Sequence, residues 1–227
     1  MATPATLTPV GYLQFETGFL GAIHSPEFSS RYGLNEVIKL SVAPRLEFLA
    51  NSEPAVRFTA NRRPGSGAAD TLVGLQAVLK PGEGARPTLA ASYLRRVYNG
   101  SPPDLDFGTP NNSFLALASA DVKGFHYDAN AFFNELVRQP VRRAQFGQTL
   151  SVSHPLVGKF SLTGEIWHFT QPFLRSHAAG NLWAVSYAAN RTLVFDAGFD
   201  RGLTSTSTRW EFFAGFTYLP PRRLWLK

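Results

Sequence analysis

Hydrophobic and polar residues alternate with a period of two along most of this chain, most clearly in FHYDANAFFN at 125–134, and the last hairpin shows what the alternation implies. Leu193, Phe195, Ala197 and Phe199 share one parity, and Val194, Asp196, Gly198 and Asp200 the other. After a Ser/Thr-rich connection, Trp210, Phe212, Ala214, Phe216 and Tyr218 again fall on one parity. Arg209, Glu211, Phe213, Gly215 and Thr217 form the other, mostly polar one. This pattern predicts a hairpin of two strands, each with an apolar and a polar face. In a soluble sandwich the apolar face points inward; in a membrane barrel it points out to lipid and the polar face lines a lumen. Trp210 and Tyr218 would stand roughly 20 Å apart along the axis of a tilted strand, which matches two aromatic girdles bracketing a hydrocarbon band.

Applied to the whole chain, the same reading predicts strands over 10–22, 36–43, 46–49, 71–79, 87–98, 114–122, 125–134, 144–153, 160–169, 182–188, 193–202 and 209–219. That makes about twelve, an even number, as in bacterial single-chain barrels. Pro44 and Arg45 interrupt one hairpin, because proline cannot donate to a ladder. The connections alternate in length. Long ones are expected at 24–33, 52–70, 99–112, 136–143 and 170–180, and tight ones at 44–45, 80–86, 123–124, 154–159 and 189–191. In an all-β, antiparallel up-and-down transmembrane β-barrel this sorting puts short periplasmic turns at one end and longer extracellular loops at the other. The short 202–208 connection is the exception.

Composition narrows the picture. No apolar run approaches the roughly 20 residues of a spanning helix, so insertion into a bilayer must be by strands. Nineteen glycines, nineteen phenylalanines, 17% charged residues and a single Met favour strands and turns over long helices. The absence of Cys is compatible with an exported protein. No composition shift marks a boundary, so 1–227 reads as one domain with an N-terminal tail at 1–9 and a C-terminal tail at 220–227. The net charge of +6 is scattered, without a basic stripe or a recognition motif, which argues against nucleic acid as a partner. Arg95, Arg175 and Arg201 fall near the expected extracellular rim, and Arg62, Arg63, Arg142 and Arg143 in or beside loops. There they would meet lipopolysaccharide phosphates or stay as solvated loop charges. The start, MATPATLTPV, lacks a basic n-region and an apolar h-region, so no signal peptide is visible in it.

The segments GYLQFETGFL, PDLDFGTPNNS, VKGFHYDANAFFNE, RRAQFGQTLSVSHP, GEIWHFTQPF, NLWAVSY and DAGFDRGLTSTSTRWEFFAGFTYL resemble the outer-membrane β-barrel family linked to meta-pathway phenol degradation, a transporter-like group. The similarity runs from Gly11 to about Trp225. It implies a barrel in the outer membrane of a Gram-negative-type bacterium, acting as a passive channel or uptake protein for small, aromatic or otherwise hydrophobic molecules. It brings no catalytic residues. Pro220, Pro221, Arg222 and Arg223 depart from the usual outer-membrane ending on an aromatic residue, leaving Tyr218 and Trp225 as alternative insertion signals.

With the polar parity inward, the lumen set comprises Glu16, Lys39, Arg96, His126, Asp128, Asn130, Asn134, Gln145, Glu165, Asp196, Asp200 and Glu211. Glu16, Asp196, Asp200 and Glu211 lie on strands that become neighbours on closure, whereas Lys39 and Arg96 come from strands nearer the other side. The expectation is a transverse charge asymmetry across the bore, against the alternative of a salt-bridge network plugging a narrow barrel. For catalysis only Ser151, Ser153, His154 and His126 offer material, without a nucleophile, base and orienter in evident reach; no catalytic residue is assigned. No His/carboxylate spacing suggests a metal, and no cofactor is implied. The expected partners are the lipid bilayer and lipopolysaccharide, a small-molecule solute and the outer-membrane insertion machinery. The alternative class is a soluble β-barrel or sandwich serving as a binding or structural module.

Overall fold

In the computed structural model, which describes residues 2–105, 108, 110–138 and 140–225, every regular element is a strand. Met1, Leu226 and Lys227 of the expected tails lie outside the described residues, as do Asp106, Phe107, Thr109 and Gln139 of the expected loops. The strands are β1 (Leu13–Ile23), β2 (Ser30–Ala43), β3 (Leu46–Ala60), β4 (Arg63–Gly67), β5 (Thr71–Lys80), β6 (Thr88–Tyr98) and β7 (Asn112–Val122). They continue with β8 (Phe125–Arg138), β9 (Val141–Pro155), β10 (Phe160–Gln171), β11 (Ser176–Ala188), β12 (Leu193–Gly202) and β13 (Trp210–Tyr218). Twelve form an up-and-down antiparallel barrel. β4 is a short hairpin extension of β3, reached through Asn61 and Arg62, both left-handed (φ 51° and 63°), and β5 pairs with β3 instead. β13 pairs with β1, with Thr217 opposite Glu16 and Trp210 opposite Ile23, and this seam closes the cylinder. Backbone groups on the barrel strands therefore find partners on both sides, the condition for β-structure to lie in hydrocarbon.

Parity decides which way each side chain points, and the aromatic parity points out. Phe19, Phe48, Phe114, Phe133, Phe146 and Phe212 are each at least half exposed on the outer surface. Facing strands bring these rings together: Tyr93 with Phe114 (4.8 Å), Phe133 with Phe146 (5.4 Å) and Phe160 with Tyr187 (4.9 Å). Such cross-strand pairs stabilise a sheet by about 0.2–1 kcal/mol each. Exposed in water, this outer band would be a large aggregation-prone patch; in a bilayer it is the solvated face.

The twelve barrel strands correspond one for one to the expected strands, but several are longer at one end. The second half of β3 and all of β4 occupy the expected 52–70 loop. β8 runs to Arg138 and β9 starts at Val141, so most of the expected 136–143 loop belongs to the two strands. β10 and β11 leave only 172–175 of the expected 170–180 loop. These extensions alternate polar and small residues, such as Arg57 and Thr59 or His177 and Ala179, which carry little hydrophobic signal. A neighbouring strand nonetheless offers ladder partners, and leaving buried backbone groups unpaired is costly. The sorting of loops by length is correspondingly weaker: 203–209 is one of the longer connections at its end. Pro54 is accommodated where the β2–β3 register shifts between Leu34 and Glu36, a bulge that spares a residue unable to donate. The 123–124 turn matches its expectation. Lys123 and Gly124 both take positive φ (52° and 83°), the type I′ geometry that suits strand twist.

Candidate functional site in the barrel interior

The chain's own N-terminal residues occupy the bore. Residues 2–8, which a sequence reading treats as a tail, run across the inner wall from β10 to β3, with a bend at Ala5 and Thr6. Ala2 N–H donates to Glu165 Oε2 (2.6 Å) and Thr3 N–H to Asn130 Oδ1 (2.6 Å), while Asn130 Nδ2 donates back to Thr3 O (2.8 Å). Gln76 Nε2 donates to Pro4 O (2.9 Å), Ala5 N–H to Ser119 Oγ (2.7 Å) and Thr8 N–H to Glu47 Oε1 (2.9 Å). Ala5 is fully buried, against Leu49, Ala90, Leu94, Leu115 and Leu117. This is the core of the molecule, and it lies inside the barrel.

The groups that hold the segment are themselves held. Ser92 Oγ donates to Gln76 Oε1 (2.9 Å), Thr149 Oγ1 to Asn130 Oδ1 (3.3 Å), Ser119 Oγ to Asp128 Oδ1 and Ser41 Oγ to Glu47 Oε1 (2.9 Å). Glu47, Gln76, Ser119, Asn130 and Glu165 are all nearly inaccessible. A buried carboxylate or amide is costly unless its hydrogen bonds are made, so the segment and the wall satisfy each other. Of these five residues only Asn130 and Glu165 stand out in the sequence as lumen candidates. The others carried a signal, being polar residues on interior parity flanked by apolar ones, but nothing said that the tail would be their partner.

The remaining interior positions differ around the circumference. On β6 and β7 most of them are buried, and in the middle of β8 to β10 Asp128, Asn130, Gln145, Thr149, Ser151 and Glu165 are buried as well. On β12 and β13, Asp196, Gly198, Asp200, Glu211, Phe213, Gly215 and Thr217 all retain some accessibility, as do Glu16 and Gly18 on β1. The free part of the bore is thus eccentric, between the N-terminal segment and the wall of β12, β13 and β1. Asp200 and Glu211 sit directly opposite each other in the ladder, and Asp200 Oδ2 accepts from Trp167 Nε1 (2.6 Å). Lys39 corrects the expected transverse asymmetry: β2 adjoins β1, and Lys39 Nζ bonds Glu16 instead of facing it across the bore. Arg96 does stand on the far wall, paired with Asp70 (2.8 Å). Asn134 Nδ2 donates to Gln145 Oε1 (2.8 Å), both buried.

His126 lies near the turn end, with Nδ1 2.8 Å from Asp121 Oδ1 and Nε2 3.3 Å from Asp128 Oδ1. Ser153 is its cross-strand partner, but Ser153 Oγ bonds Thr163 Oγ1 (2.9 Å), and both ring nitrogens of His126 face carboxylates. His154 stacks on Phe125 outside the barrel (4.3 Å). Ser151 lies opposite Asp128 on β8 and Glu165 on β10, and among the described residues no hydrogen bond joins Ser151 or Ser153 to His126 or His154. At the ends of β13, Trp210 and Tyr218 both point outward; the Arg201 guanidinium lies 5.0 Å over the Trp210 ring. The C-terminal tail folds back on the start of β1, with Leu224 N–H donating to Gly11 O (2.8 Å) and Arg223 over Tyr12.

No protein-family model and no curated relative matches the sequence. Solved structures do match in shape. An outer membrane channel from Pseudomonas putida F1 superposes with a TM-score of 0.69 at 13% identity, covering 97% of this chain and all of the other. The NanC porin gives 0.62 at 10% identity, over 91% of this chain and 98% of its own. The CymD monoaromatic hydrocarbon channel gives 0.52 at 10% identity, over 95% and 90%. At these identities the likeness is one of fold: the chain has the architecture of an outer-membrane β-barrel.

Proposed function

We propose that this protein is a passive channel of a Gram-negative outer membrane, taking up small molecules along the eccentric path beside its N-terminal segment. The observation that carries the reading is a closed wall, apolar outside, whose interior positions on β12 and β13 stay accessible while the opposite side is filled. Glu16, Asp196, Asp200 and Glu211 line that path and Lys39 offsets one of them, so the path favours cations over anions.

Aromatic solutes suit the interior. Phe132 and Phe169 (5.2 Å) and Trp167 and Phe169 (6.2 Å) form a small aromatic cluster on the inner wall, with Trp167 held by Asp200. The family resemblance to a phenol-degradation barrel and the likeness to a monoaromatic hydrocarbon channel point the same way. Trp210 and Tyr218 would mark the two bilayer interfaces. Arg95, Arg175 and Arg201 would meet lipopolysaccharide phosphates, and the outer-membrane insertion machinery would assemble the barrel.

Reconstitution into a planar bilayer tests this. A salt gradient is expected to give a reversal potential of cation-preferring sign, which moves toward zero when Asp196, Asp200 and Glu211 are changed together to Asn, Asn and Gln. Silence from both the full chain and a chain lacking residues 2–8 would remove the channel reading.

A further inference from the structure

The interior wall between β3 and β10 reads mainly the backbone of the peptide that crosses it. Along residues 2–8 it contacts main-chain atoms at Ala2, Thr3, Pro4, Ala5 and Thr8, and Asn130 both donates to and accepts from Thr3, as a neighbouring strand would. Its side-chain hydrogen bonds to the segment are made at Thr8, whose hydroxyl meets Ser41 Oγ (2.9 Å) and Glu47 Oε1. The match extends to the residue without an N–H. At Pro4 the wall supplies a donor, Gln76 Nε2, to the carbonyl, and Pro4 has no N–H to satisfy. Side-chain room is tight at Ala5, which is sealed among leucines, and at Thr8, which is buried with its hydroxyl against Ser41 and Glu47, while Thr6 is exposed. We infer that this wall is a peptide-binding site, with residues 2–8 as its intramolecular occupant, and that it takes a peptide of similar backbone course in trans when that occupant is unseated.

The chemistry defines the ligand class. The wall requires N–H donors at the positions of Ala2, Thr3, Ala5 and Thr8, needs none at Pro4, and admits only a small side chain at Ala5. Recognition through main-chain hydrogen bonds, with pockets for particular side chains, is how an added strand is read at a sheet edge. Here buried side chains replace the edge. Tethering gives the chain's own segment an effective concentration of millimolar order, so a free peptide competes only when the tethered copy is weakened. Binding at this wall is separate from conduction and is measured without it.

The test uses two variants in detergent micelles, one lacking residues 2–8 and one full-length with Ala5→Pro, which removes the N–H that Ser119 receives. Both are checked for the heat-modifiable migration of a folded barrel. A fluorescent, N-acetylated peptide of residues 2–8 is titrated and followed by anisotropy. Saturable binding is expected to a folded variant and at least about tenfold weaker binding to the unaltered chain, whose site is filled. Adding Asn130→Ala, or replacing the peptide's third residue after Ala2 by proline, is expected to weaken binding about tenfold, the scale of a buried hydrogen bond left unmade. No binding to any folded variant, equal binding to the unaltered chain, or indifference to both Asn130→Ala and the proline-substituted peptide would each overturn the inference, whatever the conductance of the barrel.

Discussion

Single residues inside this barrel are held to tight volume limits. Gly147 on β9 lies beneath the Phe169 ring, and a Cβ there would meet ring atoms at 2.2 Å. A large inward aromatic is thereby accommodated over a position with no side chain, and Phe169 is buried beside Phe132. Gly147→Val must push Phe169 off this position and is expected to lower stability by about 1–3 kcal/mol, the usual range for overpacking. Urea unfolding in lipid vesicles, followed by Trp fluorescence, reads the shift; an unchanged midpoint would mean that the ring has room to move. Gly180 beneath Trp167 has the same relation, with a Cβ at 2.3 Å from the indole. Neither pairing can be read from a sequence, since each joins residues on different strands whose register the ladder alone sets.

At the level of elements, the hairpin of β12 and β13 is where the direction of the fold is decided. Phe199 faces Phe212 and Phe195 faces Phe216 on the outside, while Asp200 faces Glu211 on the inside. Were the sheet turned inside out, carboxylates would be placed in hydrocarbon, so the polarity is set by the cost of charge in lipid. Phe212→Arg on the outer face is expected to cost about 2–4 kcal/mol if the position is near the bilayer midplane. Phe213→Arg, one residue on but facing the bore, should cost clearly less. Vesicle-based unfolding of the two variants compares them directly, and equal losses would contradict the assignment of faces. Twelve strands were legible in the alternation because period two survives even where single residues vary. Strand ends were not, because ladder pairing continues past the apolar band into polar and small residues.

For the whole molecule, the controlling feature is that the N-terminal segment lies inside the bore against the wall of β3 to β10. Removing residues 2–8 is expected to raise single-channel conductance severalfold, because the wall of β3 to β10 would become accessible along with that of β12 and β13. Planar-bilayer recordings at matched salt check this; an unchanged conductance would mean that the segment does not obstruct the path. The removal also leaves Glu47, Gln76, Ser119 and Asn130 without their main-chain partners, so the truncated barrel is expected to unfold at lower urea concentration than the full chain.

The sequence alone determined the all-β class, the twelve strands and the outward aromatic face, because each follows from a local, period-two pattern and from the scarcity of other ways to cross a bilayer. It also placed the acidic residues of β1, β12 and β13 side by side, since closure makes the first and last strands neighbours. Only the tertiary structure decided what fills the bore. The hydrogen bonds of Ala2 with Glu165 and of Thr3 with Asn130 span more than 120 residues of chain, and a segment of alanine, threonine, proline and a single leucine carries no periodic signal of its own. Its place depends on matching backbone donors and acceptors to side chains from five separate strands, and that match exists only once the barrel has closed.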